Sequence, residues 1–170
     1  MYCRAFLFIA FNLIETICKK YPLAKCSYCQ SSPCCCKEKR FDAILEPISE
    51  IQLAWTLKEW QEHFNNFYGQ KNKEKGVEYI LNRLFREAGE LLALQMMTCR
   101  GELSSDKIEE EFALELADIF AWTIAVANFL ETDLESAVLK RFGRGCWKCN
   151  QNPCVCGNFN VKPVKWDSQL

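Results

Sequence analysis

Histidine, glycine and proline are scarce in this chain: one, seven and five among 170 residues. With one histidine, Ser-His-Asp and Cys-His schemes would all depend on His63, and no partner motif supports them. No Gly-x4-Gly-Lys loop is present, so phosphates are not cradled in the P-loop manner. Alternating polar and apolar residues are confined to short stretches at 43–45 and 158–164, which excludes a sheet as the main frame. Charge of one sign is also lacking. A net charge of −1 gives no global electrostatic case for nucleic acid. The basic stretches 37–40 and 71–75 are short, mixed with acid, and read as solvated surface.

No run suits a membrane crossing either. Residues 5–13 are apolar, but Asn12 and Glu15 interrupt the pattern and no small-x-small cleavage site follows. A buried amphipathic helix ending near Lys20, before Pro22, and a cytoplasmic chain are the expectations. The longest apolar run, residues 112–130, carries Glu115 and Asp118 near its middle, which argues against spanning.

Cysteine is abundant, with 12 copies. Cys26-x-x-Cys29-x4-Cys34-x-Cys36 recurs as Cys146-x-x-Cys149-x4-Cys154-x-Cys156, displaced by 120 positions throughout. Pro33 and Pro153 match as well. A CxxC pair lets two thiolates converge on one ion, and tetrahedral Zn²⁺ wants four such ligands. Two structural Zn²⁺ ions are therefore expected. Each copy closes its own site, or the CxxC half of one pairs with the CxC half of the other; the spacing permits both. Disulfides and iron–sulfur clusters compete. The repeated CxxC spacing and the lack of a secretion signal favour zinc. Cys3, Cys18 and Cys99 read as ordinary buried or half-buried thiols, and Cys35 lies outside the repeat.

Between the cysteine clusters the chain reads as helical. Ser49-x-x-Gln52 suits a capping box, followed by Leu53, Leu57, Trp60, Phe64 and Phe67 at helical steps up to Gly69. A polar loop is expected at 70–76. The next helix has an apolar stripe of Ile80, Leu81, Leu84, Ala88, Leu91 and Leu92, with Glu87 at its edge and Glu90 farther round. A long helix from about 108 to 130 follows. Thr132-x-x-Glu135 opens a last one. The expected architecture is all-α: a four-helix core with an extra N-terminal helix and two small CxxCx4CxC knuckles. Its division is 1–48 for the N-terminal helix and first knuckle, 49–144 for the core, and 145–170 for the second knuckle and tail.

Glu87-Ala88-Gly89-Glu90 and Glu115-Leu116-Ala117-Asp118 each set two carboxylates one helical turn apart. In the apolar run 112–130 the only other polar residues are Thr123 and Asn128. Acids buried there without partners would each cost several kcal/mol. Four carboxylates on two facing helices suit a hard cation, and Mg²⁺ prefers oxygen ligands. With scattered Lys and Arg, that suits phosphoryl or nucleotidyl chemistry.

Glu87-Ala88-Gly89-Glu90-Leu91 followed by Glu115-Leu116-Ala117-Asp118-Ile119 resembles the ExxE…ExxD signature of the MazG-like nucleotide pyrophosphohydrolases, which are all-α. The stretch Leu57 to Phe64 is similar to that family's first core helix. The resemblance covers roughly residues 49–144 and not the cysteine-rich ends. Where some members carry a further acid directly before the first motif, this chain has Arg86, so that acid's role is not carried over.

The resemblance implies that Glu87, Glu90, Glu115 and Asp118 coordinate Mg²⁺ on a nucleoside triphosphate. Water would attack the α-phosphorus, releasing monophosphate and pyrophosphate, with Glu87 as the candidate to orient that water. It also implies base contacts from Trp60 and His63 and a homodimer or homotetramer. Lys140, Arg141 and Arg144 near the last helix are candidate phosphate contacts, although cations at a helix C-terminus need no further role.

Three functions follow from these readings. The first is a Mg²⁺-dependent pyrophosphohydrolase. The second is a zinc-knuckle adaptor for nucleic acid or protein, displaying Tyr28 and Trp147. The third is a silent relative that binds nucleotide as a regulator. The enzyme is the expectation carried forward.

Overall fold

A computed structural model describes residues 13–23, 25, 26, 29–36 and 50–156. Among the described residues six helices run in chain order: α1 (Leu13–Lys20), α2 (Glu50–Leu53), α3 (Leu57–Lys75), α4 (Val77–Arg100), α5 (Ser105–Phe129) and α6 (Leu134–Phe142). Among the described residues there is no strand. The chain divides into two units, Met1–Leu134 and Glu135–Leu170.

In the first unit α5 is the central helix, packed by α4, α3 and α1. Its composition explains this place. From Phe112 to Phe129 none of its side chains is fully exposed, as expected for a helix that is apolar all round. Ala113, Ala117, Ala121 and Ala125 recur every four residues and are buried. Small side chains in that line let neighbouring helices approach closely. By length and composition α5 is apolar enough to cross a membrane; here it forms the middle of a bundle. Ile17, Cys18 and Tyr21 from the α1 end, Trp60 and Phe64 from α3, and Ala117, Ala121 and Ile124 from α5 make one core.

The helix expected to open at Ser49 is interrupted. The short α2 ends at Leu53, and α3 starts afresh at Leu57 with Thr56 as its N-cap. The Thr56 hydroxyl accepts from Glu59 N, and the Glu59 carboxylate accepts from Thr56 N at 2.7 Å. That reciprocal pair starts α3; Ser49 of the Ser49-x-x-Gln52 match lies outside the described residues. Gln52 is instead buried, donating to the Tyr21 carbonyl at 2.8 Å.

Residues 70–75 are also helical, where a loop was expected. The Gln70 amide donates to Glu74 one turn on, at 2.9 Å. Long polar side chains cost a helix little, and Gly69 costs only about 1 kcal/mol. The chain turns at Gly76 alone, whose φ of 82° suits glycine, and Gly76 both ends α3 and starts α4.

Helix α4 is rotated from the expected stripe. Its buried positions are Ile80, Glu87 and Thr98, while Leu81 and Leu92 are exposed. Glu87 is therefore central to the inward face, not at its edge. Gly101, with φ 72° and its N–H bonded to Thr98 O, closes α4 in the left-handed cap that glycine favours. Helix α6 begins at Leu134, so Thr132 is not its cap; the Gln61 amide group accepts from Leu134 N and donates to Thr132 O. Cys18 is buried as expected, but Cys99 is exposed. Cys3 lies outside the described residues.

Candidate functional site

Helices α4 and α5 bring three of the four sequence-selected acids together. Carboxylate oxygens of Glu87, Glu115 and Asp118 lie within 4.8 Å of one another. Glu90 is not among the three. It stands on the next turn of α4, with Arg86 Nε 3.6 Å from its carboxylate.

Three cations surround this set. Arg83 and Arg86 each place a guanidinium nitrogen 3.1 Å from Glu87 Oε1. Arg83 also lies over the Trp122 ring, 5.3 Å from its centroid, which fixes the guanidinium from its other side. Lys20, only 6% exposed, reaches Asp118 Oδ2 at 2.8 Å and Leu114 O at 3.4 Å. Tyr21 donates its hydroxyl to Asp118 Oδ1 at 2.6 Å. The end of α1 thus supplies two groups that hold Asp118 in place.

The cations leave part of the acid set unmatched. Glu87 is 1% exposed, and its Oε2 has no hydrogen-bond partner; Glu115 Oε2 is likewise buried without one. Burial, then the hydrogen bond to Glu90 and the nearby Asp118 charge, push the Glu87 carboxyl up to about 7 against the two arginines. Burial and the charges of Asp118 and Glu90 also raise Glu115. Buried oxygens without donors and raised carboxyls are what a site that gains from a cation looks like.

The donor set fits a hard divalent ion. In octahedral Mg²⁺ opposite ligands stand about 4.2 Å apart and adjacent ones about 3 Å, so three oxygens within 4.8 Å of one another are on the scale of such a site.

The other sequence-selected residues stand elsewhere. Trp60 is 2% exposed and enclosed in the core, edge-on to Trp55 at 4.8 Å and to Phe120 at 6.1 Å. A base contact from its ring would require that packing to open. His63 is half-buried among Trp55, Phe64 and Phe67. Burial lowers its pKa to about 4, so the ring is neutral. Lys140 and Arg144 are exposed residues of the second unit.

Both cysteine repeats fold into four-sulfur clusters, each within one copy. Cys26, Cys29, Cys34 and Cys36 form one set; Cys146, Cys149, Cys154 and Cys156 form the other. This decides between the two pairing schemes that the spacing allowed. The Cys26–Cys36 and Cys146–Cys156 sulfurs are 3.7 Å apart, and the Cys149–Cys154 sulfurs 3.8 Å. Thiolates at the ~2.3 Å zinc distance of a tetrahedron stand about 3.8 Å apart, whereas a disulfide needs about 2.05 Å. None of the eight cysteines is in a disulfide. Both clusters are compatible with zinc knuckles.

The two loops share their backbone. Cys26 N bonds Ser31 O and Cys146 N bonds Gln151 O, both at 3.0 Å. Gln30 and Asn150 each adopt φ 56°, and Pro33 and Pro153 each follow a cis peptide bond. Their settings differ. The first is anchored in the helical unit, with Cys26 buried and Cys34 N donating to Phe67 O at 3.3 Å. In the second, no ligand cysteine is buried. Comparisons with protein-family models, curated proteins and solved structures find no match to this chain.

Proposed function

We propose that the helical unit is a Mg²⁺-dependent nucleoside triphosphate pyrophosphohydrolase, MazG-like in its core, that yields monophosphate and pyrophosphate. The observation that carries this reading is the convergence of Glu87, Glu115 and Asp118, with two buried carboxylate oxygens left without donors. These residues come from the ExxE and ExxD pairs on which the resemblance rests.

Glu87, Glu115 and Asp118 would hold the ion, with Glu90 beside them on the next turn. When bound, Mg²⁺ supplies charge neutralisation at phosphate oxygens and a more acidic water. Lys20 and Tyr21 orient Asp118 by a short ion pair and a hydroxyl bond. Arg83 and Arg86 hold one oxygen of Glu87, which leaves the other directed to the acid set. Glu90, partly exposed one turn from Glu87, can accept a proton from a water beside the cluster. Each knuckle is assigned one structural Zn²⁺.

Product identity tests the reaction. Ribo- and deoxyribonucleoside triphosphates incubated with the protein and Mg²⁺ should give monophosphate and pyrophosphate. Diphosphate and inorganic phosphate would place cleavage at the wrong bond and contradict the assignment.

A further inference from the structure

The near-neutral total charge hides a strong asymmetry. Residues 135–170 hold six basic residues and two acidic ones, a net of +4, so residues 1–134 carry −5. The basic part coincides with the second structural unit. Its cations lie close in sequence: Lys140 and Arg141 in the last turn of α6, Arg144 just beyond it, and Lys148 inside the Cys146–Cys149 turn.

An aromatic group is displayed among them. Trp147 occupies the CxxC turn and is 54% exposed. Arg141 lies over its ring, with the guanidinium carbon 3.8 Å from the centroid. That stack covers one face of the indole and fixes its direction. Cysteine ligation sets the turn on either side. The result is an exposed indole held against one cation, with three more close by in sequence.

The two knuckles differ in this respect. The first has a buried ligand cysteine and a backbone bond to α3, and so braces helices. The second has no buried ligand cysteine, and α6 has no buried residue. Its side chains are therefore open to solvent and to a ligand.

We infer that Trp147, stacked on Arg141 and flanked by Lys140, Arg144 and Lys148, forms a binding surface for single-stranded nucleic acid. Exposed aromatics stack on unpaired bases, and neighbouring cations track the phosphates. A duplex offers no free base faces, and an acidic peptide offers charge without stacking. This surface is independent of the acid cluster and of its proposed chemistry.

The test uses the full-length, zinc-loaded protein and fluorescently labelled short oligo(dT), oligo(U) and a duplex of equal length, read by anisotropy. Single strands should bind, with affinity falling steeply between about 50 and 200 mM salt. Binding to either strand supports the inference, and the tighter one identifies the sugar preferred. Trp147→Ala should weaken binding about tenfold while zinc content is retained. Arg144→Gln should reduce the magnitude of the logarithmic salt slope by about 0.7. If Trp147→Ala loses its zinc, Arg144→Gln, outside the cysteine loop, carries the test. No binding at low salt, tighter binding to duplex, or unchanged affinity in zinc-loaded Trp147→Ala would overturn the inference. Equal displacement of the strand by polyglutamate would also overturn it, assigning the surface to acidic protein segments.

Discussion

The Tyr21 hydroxyl donates to Asp118 Oδ1 at 2.6 Å, joining residues 97 positions apart. With Lys20 2.8 Å from the other carboxylate oxygen, it makes the N-terminal helix part of the acid site. The ion pair is largely buried, with side-chain exposures of 7% and 18%. Removing one partner of such a pair leaves a charge uncompensated, at about 3–5 kcal/mol.

Lys20→Met should therefore lower stability by about 3 kcal/mol without Mg²⁺, measured by urea unfolding of the zinc-loaded protein with no Mg²⁺ added. Mg²⁺ should then stabilise Lys20→Met more than wild type, because the ion replaces the lost positive charge. Equal Mg²⁺ effects in the two proteins would separate Lys20 from the cation site.

Tyr21→Phe should cost less, about 1.5–3 kcal/mol, since it removes a hydrogen bond to a charged acceptor and keeps the ring. That ring packs 4.8 Å from Phe64. Urea unfolding gives the figure, and a loss near zero would remove the bond from the account.

His63 and Glu87 give opposite pH responses. The His63 pKa is lowered from 6.5 to about 4 by burial. As pH falls through that window, the unfolded chain takes up a proton that the folded one refuses, and stability drops. Glu87 is raised from 4.5 to about 7. Its contribution is full below the lower value and is lost as pH rises through the higher one. Each slope is at most about 1.4 kcal/mol per pH unit, and they oppose each other in the overlap. His63→Phe, studied zinc-loaded with no Mg²⁺ added, should expose the Glu87 slope: stability rising as pH falls from about 7 to 5. A stability that instead drops across that range would contradict the raised carboxyl.

Metal analysis should find two zinc ions per chain, one for each four-cysteine set. Cys29→Ser and Cys149→Ser should each lose one ion. Only Cys29→Ser should lower the unfolding temperature of the helical unit, because the first knuckle is tied to α3 through Cys34 and Phe67. Equal effects on that unit would contradict the difference between the knuckles.

The sequence disclosed these features unevenly. The two acid pairs and the cysteine repeat are local patterns; three of the four acids and all eight repeat cysteines assembled into clusters. The rotation of α4 was hidden because Leu81, Ala88 and Leu92 make as good a stripe as the one used. Only the packing against α5 selects Glu87 as inward. Lys20 lies one turn beyond Ile17, in phase with it, but no local signal separates its burial from the exposure of Lys19. Residues 70–75 are polar and lack breakers, so composition suggested a loop where helix propensity prevailed. For the knuckles, spacing left open which halves pair; the left-handed turns at Gln30 and Asn150 fold each copy onto itself.

The most direct test of the acid site is pyrophosphate release from nucleoside triphosphates in Mg²⁺, comparing wild type with Asp118→Asn at matched fold and zinc content. The expected result is turnover in wild type and a loss of at least about 100-fold in the variant, assayed where the variant remains folded although the loss of the Lys20 partner lowers its urea stability by about 3 kcal/mol. Equal turnover in both proteins, or none in a folded, zinc-loaded wild type, would contradict the proposed role of Glu87, Glu115 and Asp118.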